Sequence, residues 1–112
     1  MDKIYTADEL KAMKLFEFEV AGAPFYESES AQYDLYKNME LTLIKEPENT
    51  HDEYAVQIYA GDRKLGYVPR YISEAITALL NEQTLVVARI NRATLREGSS
   101  PIIVVRVGIK VD

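Results

Sequence analysis

LTLIKEPENTHDEYAVQIYAGDRKLGYVPRYISEAITALL, residues 41–80, is the stretch of the 112-residue chain that decides its fold. It contains three segments, at 41–44, 54–59 and 64–68, in which apolar and polar residues alternate. That alternation is typical of strands with one buried face, so each run is predicted as a β-strand. The dipeptide Gly61–Asp62 separates the last two runs and predicts the turn of a tight hairpin.

The period changes after Pro69 from that of a strand to that of a helix. Apolar residues then recur at helical spacing, at Ile72, Ala75, Ile76, Leu79 and Leu80. This spacing predicts one main amphipathic helix over about residues 71–81. Ser73 and Glu74 lie between the apolar positions and are expected to face solvent.

The regions on either side predict the remaining elements. Upstream, residues 15–20 alternate strictly and predict a strand with one buried face. Thr6 is placed to cap a short N-terminal helix before that strand. Residues 25–38 have no regular period and are predicted as a loop with one turn of helix. Downstream, residues 85–91 and 102–110 predict two further strands joined by a polar turn.

These elements indicate a mostly β fold. About six strands with one main helix suit a small OB-like antiparallel barrel, in which a short chain can close its sheet. The length of 112 residues fits a single domain spanning residues 1–112, and the sequence contains neither internal repeats nor a linker.

Composition excludes several classes of protein. With no cysteine, the chain cannot form disulfides or thiolate metal sites. No run of about 18 apolar residues is present to span a membrane, and the N-terminal residues lack the apolar core of a secretory signal. We therefore expect a cytoplasmic protein that does not enter membranes.

The formal net charge of −5 opposes binding to nucleic acid unless the positive charges are grouped. Residues 1–60 carry five Lys and Arg against thirteen Asp and Glu, whereas residues 61–112 carry eight against five. This asymmetry permits a basic stripe, although scattered solvated charges give the same totals. The stripe would consist of Arg63, Lys64, Arg70, Arg89, Arg92 and Arg96.

Residues for catalysis are not found in a recognisable arrangement. The chain has no Cys nucleophile, no Gly-rich phosphate loop and no Ser in a nucleophile elbow. Acidic residues and the single histidine crowd between Glu46 and Glu53, which raises the alternative of a metal-dependent nuclease. Because Pro47 divides this cluster and neighbouring residues of an extended chain point in opposite directions, a solvated loop is the favoured interpretation. We therefore expect no enzyme activity, no catalytic residue, no metal site and no cofactor.

The order of residues within 41–80 resembles that of the HIRAN domain family. The resemblance runs in a fixed series, which is Glu46-Pro47, Asn49, Asp52, Ala55-Val56, the hairpin, LGYVPR at 65–70 and the apolar helix. Upstream, FEVAGAPF at 18–25 resembles the first strand of the family and the glycine that follows it. The similarity covers residues 15–92 and implies a modified OB-like barrel that binds single-stranded DNA. In helicase-linked members the domain takes a free 3′ end into a pocket.

The resemblance also implies where nucleic acid binds. Aromatic residues after the first strand would stack on bases, and Asp52 would accept a hydrogen bond from a terminal hydroxyl. Tyr67 suits a contact to a base or sugar, and Arg70 suits a phosphate. The full predicted site is Phe25, Tyr26, Asn49, His51, Asp52, Tyr67 and Arg70.

Two positions depart from the pattern of helicase-linked members. Pro24 stands where such a member can have a basic residue, which removes one phosphate contact. His51 stands where those members have an aromatic residue, which makes stacking poorer at this position. Both departures weaken the case for tight binding to single-stranded DNA or DNA ends.

Structural alternatives apply to the same residues. The aromatic side chains can instead fill the barrel core, and Asn49 and Asp52 can instead bond backbone amides in an Asx turn. A second function also stays open, a protein- or peptide-interaction domain that uses Phe25, Tyr26 and Tyr36 on the same barrel. Binding of a single strand needs aromatic faces for bases beside a cation for the backbone, and the predicted site contains both types of residue.

Overall fold

The structure is a computed structural model that describes residues 3–110, apart from the side chains of Leu85 and Lys110. Its strands are β1 (Leu15–Glu19), β2 (Glu40–Lys45), β3 (Val56–Ala60), β4 (Arg63–Tyr67), β5 (Leu85–Thr94) and β6 (Ile102–Lys110). All pair antiparallel in one sheet with the order β1-β6-β5-β2-β3-β4. The sheet curls into a half-barrel, so the predicted mostly β, OB-like architecture is confirmed.

One short contact joins the two edges of the curled sheet. Ala21, just after β1, and Tyr67, at the end of β4, exchange two backbone hydrogen bonds of 2.9 and 2.8 Å. The backbones approach so closely that a Cβ at position 66 would lie 2.4 Å from the Ala21 carbonyl oxygen. Gly66 also has φ +155°, a conformation that side chains disfavour. A glycine at this position is therefore required for closure.

Helices within residues 3–110 are α1 (Ala7–Met13), α2 (Ser28–Ala31) and α3 (Arg70–Asn81). Thr6 caps α1 as predicted, since its hydroxyl accepts from the Glu9 N–H and the Glu9 carboxylate accepts from the Thr6 N–H. α3 agrees with the predicted main helix. No helix in this range is long and apolar enough to cross a membrane.

The segment from Ala23 to Asn38, called the strap below, contains the one turn of helix that was predicted within its loop and two 3-10 turns that were not. α2 lies in it between two 3-10 turns. The buried Ser28 hydroxyl donates to the Leu65 carbonyl at 2.6 Å. Buried Gln32 donates to the Ser99 carbonyl at 2.9 Å. These polar anchors are four residues apart and replace the apolar period by which helices are predicted, which is why the sequence pattern missed them.

The apolar face of α3 packs against the concave side of the sheet. Ile72, Ile76 and Leu79 are each no more than 2% exposed, and they belong to one cluster with inward-facing strand residues. Burying each such side chain is worth about 1.5–3 kcal/mol. Pro69 makes no side-chain cap, so the helix is held by this apolar contact and by the hydrogen bond from the Thr77 hydroxyl to the Tyr54 carbonyl at 3.0 Å.

Two local predictions were wrong. Ser73 was expected to face solvent but is 2% exposed, because its hydroxyl donates to the Asp52 carboxylate at 3.0 Å. The third strand begins at Val56 rather than at Tyr54, because the Tyr54 N–H bonds the Asp52 side chain at 2.9 Å in a turn. Both errors come from the Asp52 carboxylate, which binds one partner two residues away and another 21 residues away.

Replacing Gly66 with alanine is expected to lower the free energy of unfolding by about 1–3 kcal/mol, because the added methyl group overlaps Ala21 and Val20. Chemical denaturation measures the loss. Gly108→Ala is the matched control, since a Cβ added at that position of β6 meets no atom within 4 Å. Its stability should stay within about 0.5 kcal/mol of the parent. Equal stability of the two variants would contradict closure at Gly66.

Candidate functional site

A cleft of about 210 Å³ opens beside the contact that closes the sheet. Its walls come from the strap, from the loop between β2 and β3, from the end of β4 and from the first turn of α3. The predicted residues that line it are Tyr26, Asn49, His51, Asp52, Tyr67 and Arg70. Segments that are far apart in the sequence therefore bring six of the seven predicted residues together.

Phe25 is the predicted residue that does not line the cleft. It ends the 3-10 turn Ala23–Phe25, next to Tyr26, and its side chain is 84% exposed. The alternative in which Phe25 fills the barrel core is therefore wrong. The ring lies on the surface beside the cleft.

Two tyrosines form one wall of the cleft, and a lysine lies behind them. The Tyr26 and Tyr67 rings meet edge to face with centroids 5.4 Å apart. The Lys64 ammonium lies 4.3 Å from each centroid, a cation–π arrangement that holds both rings. It also donates to the Tyr67 hydroxyl at 2.8 Å, and that hydroxyl donates to Glu46 at 2.8 Å. The chain Lys64–Tyr67–Glu46 therefore fixes the orientation of this aromatic wall.

Sequence reasoning missed Lys64 and Glu46 as the residues that hold this wall from behind. Strict alternation along β4 places residues 64 and 67 on opposite faces. A register shift in the β3–β4 pairing, where Tyr59 faces Lys64 but Ile58 faces Gly66, inserts one residue and brings Lys64 to the side of Tyr67. The glycine at position 66 was the available signal, because a glycine inside a strand often marks a bulge.

The same contacts shift the pKa values of the wall. Hydrogen bonds from Asn49 and Tyr67, together with the charge of Lys64, lower the pKa of Glu46 from its ordinary 4.5. Burial, followed by the hydrogen bond to Glu46, raises the pKa of Tyr67 above 10.0. Burial is also the main cause that raises the pKa of Tyr26. At neutral pH the two tyrosines of the wall are therefore neutral and the carboxyl of Glu46 is ionised.

The loop opposite this wall is organised by an Asx turn, as the structural alternative proposed. The Asn49 Oδ1 atom accepts from the His51 N–H at 2.8 Å and from the Asp52 N–H at 3.0 Å. The two Asp52 oxygens accept separately from the Tyr54 N–H and from the Ser73 hydroxyl. These hydrogen bonds hold the Asp52 carboxylate in place. Since each carboxylate oxygen has two lone pairs, Asp52 can still accept a hydrogen bond from a ligand.

Arg70 is the cation of the cleft that has no ion pair. It is the first residue of α3 and is exposed, and no carboxylate among residues 3–110 lies within 4.0 Å of its guanidinium. Arg70 and Asp52 also line a neighbouring cleft of about 490 Å³, so the two clefts meet at these side chains.

The other residues of the predicted basic stripe do not line the cleft. Arg63 pairs with Asp34 at 3.0 Å, and Arg89 donates to the Asn38 carbonyl. Lys64 lies behind the aromatic wall, 3.9 Å from Glu46. The stripe is therefore interrupted by internal partners.

The acidic loop between Glu46 and Glu53 is used within the protein. Glu46 accepts from Asn49 and Tyr67, and Asp52 from Tyr54 and Ser73. Across the part of the chain that the structure describes, no three His, Asp or Glu side chains are grouped closely enough to hold a metal ion.

Comparison with known proteins relates this arrangement to others. Residues 13–108, most of the chain, match the family model described as the HIRAN domain. The crystal structure of the HIRAN domain of human HLTF is similar with a TM-score of 0.69 and 11% identity, covering 85% of this chain and 74% of that chain. The crystal structure of a protein from Lactobacillus plantarum is similar with a TM-score of 0.67 and 18% identity, covering 82% and 91%. At these identities the two structures bear on the fold alone, and no curated protein sequence matches.

Replacing Glu46 with glutamine is expected to lower the pKa of Tyr67, because the nearby negative charge that opposes ionisation is removed. In the parent, the pKa of Tyr67 is raised in the folded state, so neutral Tyr67 contributes to the free energy of unfolding. This contribution is present below pH 10.0 and is lost as the pH rises through the folded-state pKa of Tyr67. An NMR titration of ¹³C-labelled tyrosine measures the change. Glu48→Gln, on an exposed neighbour, should leave the Tyr67 pKa unchanged. Equal effects of both variants would contradict the assigned contact.

Proposed function

Because this chain belongs to the HIRAN domain family, a family of DNA-binding modules, we propose that it binds single-stranded DNA and prefers a free 3′ end. The proposal rests on one observation, the convergence of Tyr26, Asp52 and Arg70 on a single cleft. An aromatic ring, a carboxylate acceptor and an unpaired cation are the groups that a base, a terminal hydroxyl and a phosphate need. The domain acts as a binding module without catalysis.

Stacking supplies the largest share of the affinity. Tyr26 is 37% exposed and Phe25 is 84% exposed, so both side chains are accessible to a base. Base stacking on an aromatic side chain is worth about 1–3 kcal/mol. Tyr67 contributes differently, because its hydroxyl is already bonded to Lys64 and Glu46. It holds the Tyr26 ring in place rather than reading the ligand through its hydroxyl.

Electrostatic attraction in the cleft is modest. Lys64 is compensated by Glu46, which leaves Arg70 as the cation that can bind a phosphate. Pro24 supplies no further charge. We therefore expect weaker binding than a cleft with several free cations would give, and a small dependence on salt.

Recognition of the strand end depends on Asp52. Its carboxylate is fixed by Tyr54 and Ser73 and still has lone pairs that can accept from a 3′ hydroxyl. A 3′-phosphate has no such donor when ionised, and its charge is repelled by the carboxylate. A free 3′ end is therefore favoured.

A protein- or peptide-interaction domain is the second candidate. The exposure of Phe25 at 84% and of Tyr36 at 62% supports it, since exposed aromatic residues are enriched where proteins bind one another. The net charge of −5 also agrees with a protein partner. This candidate replaces the first if the folded domain binds no oligonucleotide at low salt.

Asp52→Asn tests the recognition of the strand end. The parent should bind an oligothymidine with a free 3′ hydroxyl about tenfold more tightly than the same strand with a 3′-phosphate. The variant should lose this preference, because asparagine removes the charge while keeping an acceptor for the Tyr54 N–H. Fluorescence anisotropy measures both affinities. Glu53→Gln, on the exposed neighbouring residue, should keep the preference, and a variant at Asp52 that also keeps it would refute the role of Asp52.

Arg70→Gln tests the phosphate contact. Affinity should fall for every oligonucleotide alike, and the slope of log K against log salt should become smaller by about 0.7, the value for one phosphate contact on a single strand. Anisotropy titrations over a series of salt concentrations give the slope. Arg63→Gln removes the same charge from a residue that pairs with Asp34, so its slope should match that of the parent. A reduced slope for Arg63→Gln alone would place the contact elsewhere.

A further inference from the structure

A pair of arginines lies on the solvent side of the sheet, on two neighbouring inner strands. Arg89 of β5 and Arg106 of β6 are directly opposite each other in the antiparallel register. Like charges in this position repel each other and destabilise a sheet. No carboxylate among residues 3–110 lies within 4.0 Å of either guanidinium. The two charges therefore have no ion pair within this part of the chain.

Asn38, the last residue of the strap, holds both guanidinium groups. Arg89 donates to its backbone carbonyl at 3.3 Å, and Arg106 donates to its side-chain oxygen at 3.0 Å. Asn38 is itself attached to β5, since its N–H donates to the Ile90 carbonyl at 2.7 Å. Each guanidinium has five N–H donors, so both keep donors for a ligand while their positions are fixed.

Acidic residues flank the pair without neutralising it. Glu17 of β1 faces Arg106 in the register, and Glu40 of β2 faces Arg89. Glu17 accepts instead from Asn91 at 3.0 Å. The row across four strands therefore reads acid, base, base, acid, and an anion bound between the two arginines would complete an alternation of charge.

The strap connects this pair with the cleft. Tyr26 lines the cleft near one end of the strap, and Asn38 holds the arginines at the other. Between them, Tyr33 and Tyr36 are each 62% exposed, in addition to the exposed Phe25. Aromatic faces at such intervals suit the bases of a single strand. The strap also carries exposed carboxylates, so attraction along it depends on stacking rather than on charge.

We infer that Arg89 and Arg106 form a second phosphate-binding site for the strand whose end enters the cleft, with the aromatic residues of the strap contacting the bases between. The inference rests on the proposed function. Two neighbouring guanidinium groups match the oxygens of a phosphodiester, which they bind with charge-assisted hydrogen bonds. We expect a strand of about 3 nucleotides to fill only the cleft. The contribution of the arginines therefore depends on strand length.

The double variant Arg89→Gln/Arg106→Gln tests this with oligothymidines of about 12 and about 3 nucleotides. The long strand should bind about tenfold more weakly, with a salt slope smaller by about 0.7 for each lost phosphate contact. The short strand should bind as it does to the parent. The variant should fold, because it removes a repulsion between strands. Glu40→Gln should strengthen binding of the long strand, because it removes a carboxylate beside the site.

The control is Lys11→Gln/Lys45→Gln, which changes the net charge equally. Lys11 pairs with Glu82, and Lys45 donates to Asn81, so neither is free to bind a strand and the long strand should bind nearly as to the parent. Equal losses of affinity for the long strand in both double variants would show that the effect comes from net charge alone and would overturn the second site.

The remaining outcomes separate this inference from the proposed function. If the arginine variant binds the long strand as the parent does, the second site is overturned while the proposed function stands. If no oligonucleotide binds the parent, the proposed function fails. Titration with inorganic pyrophosphate then tests whether Arg89 and Arg106 bind an anion at all. Shifts of the Arg89 and Arg106 Nε NMR signals support the anion site, and unchanged signals overturn it.

Discussion

The pair of hydrogen bonds between Ala21 and Tyr67 is the contact on which the rest of the structure depends. It joins the two edges of the sheet, and in doing so it places the start of the strap beside the end of β4 and the first turn of α3. The cleft lies between these segments. Closure needs a backbone without a side chain at position 66, because a Cβ there overlaps the Ala21 carbonyl. A single glycine therefore governs both the shape of the barrel and the existence of the cleft.

The charged groups that make the aromatic wall of the cleft rigid also compensate each other's charge. Lys64 and Glu46 hold the Tyr67 hydroxyl from opposite sides, and Lys64 also contacts the Tyr26 ring. This arrangement presents an ordered aromatic wall, which lowers the entropic cost of stacking a base. It also neutralises a cation that could otherwise attract phosphate. Among residues 3–110, Arg70 is left as the positive group of the cleft without an ion pair, which agrees with the proposal that the domain binds a strand end rather than DNA by charge alone.

Much of the fold could be predicted because strands and helices have local periods. Alternation located the strands to within two residues at most ends, and the spacing of Ile72, Ile76 and Leu79 identified α3. The strap was predicted less well, since its helix is anchored by the buried polar residues Ser28 and Gln32 rather than by an apolar face. Six of the seven residues chosen for the site line one cleft, because an ordered motif carries information about turns that periodicity lacks.

The sequence by itself determined which segments are strands and which is the main helix, because these properties depend on neighbours a few positions apart. The requirement for a glycine at position 66 comes from the tertiary contact with Ala21. The tertiary structure alone decided which side chains meet. Lys64 reaches Tyr67 only through a shift in strand register, and Arg89 faces Arg106 only because β5 and β6 pair in one particular register. Register is set by the whole sheet as it curls and closes. Contacts that depend on it cannot be inferred from a local pattern of residues.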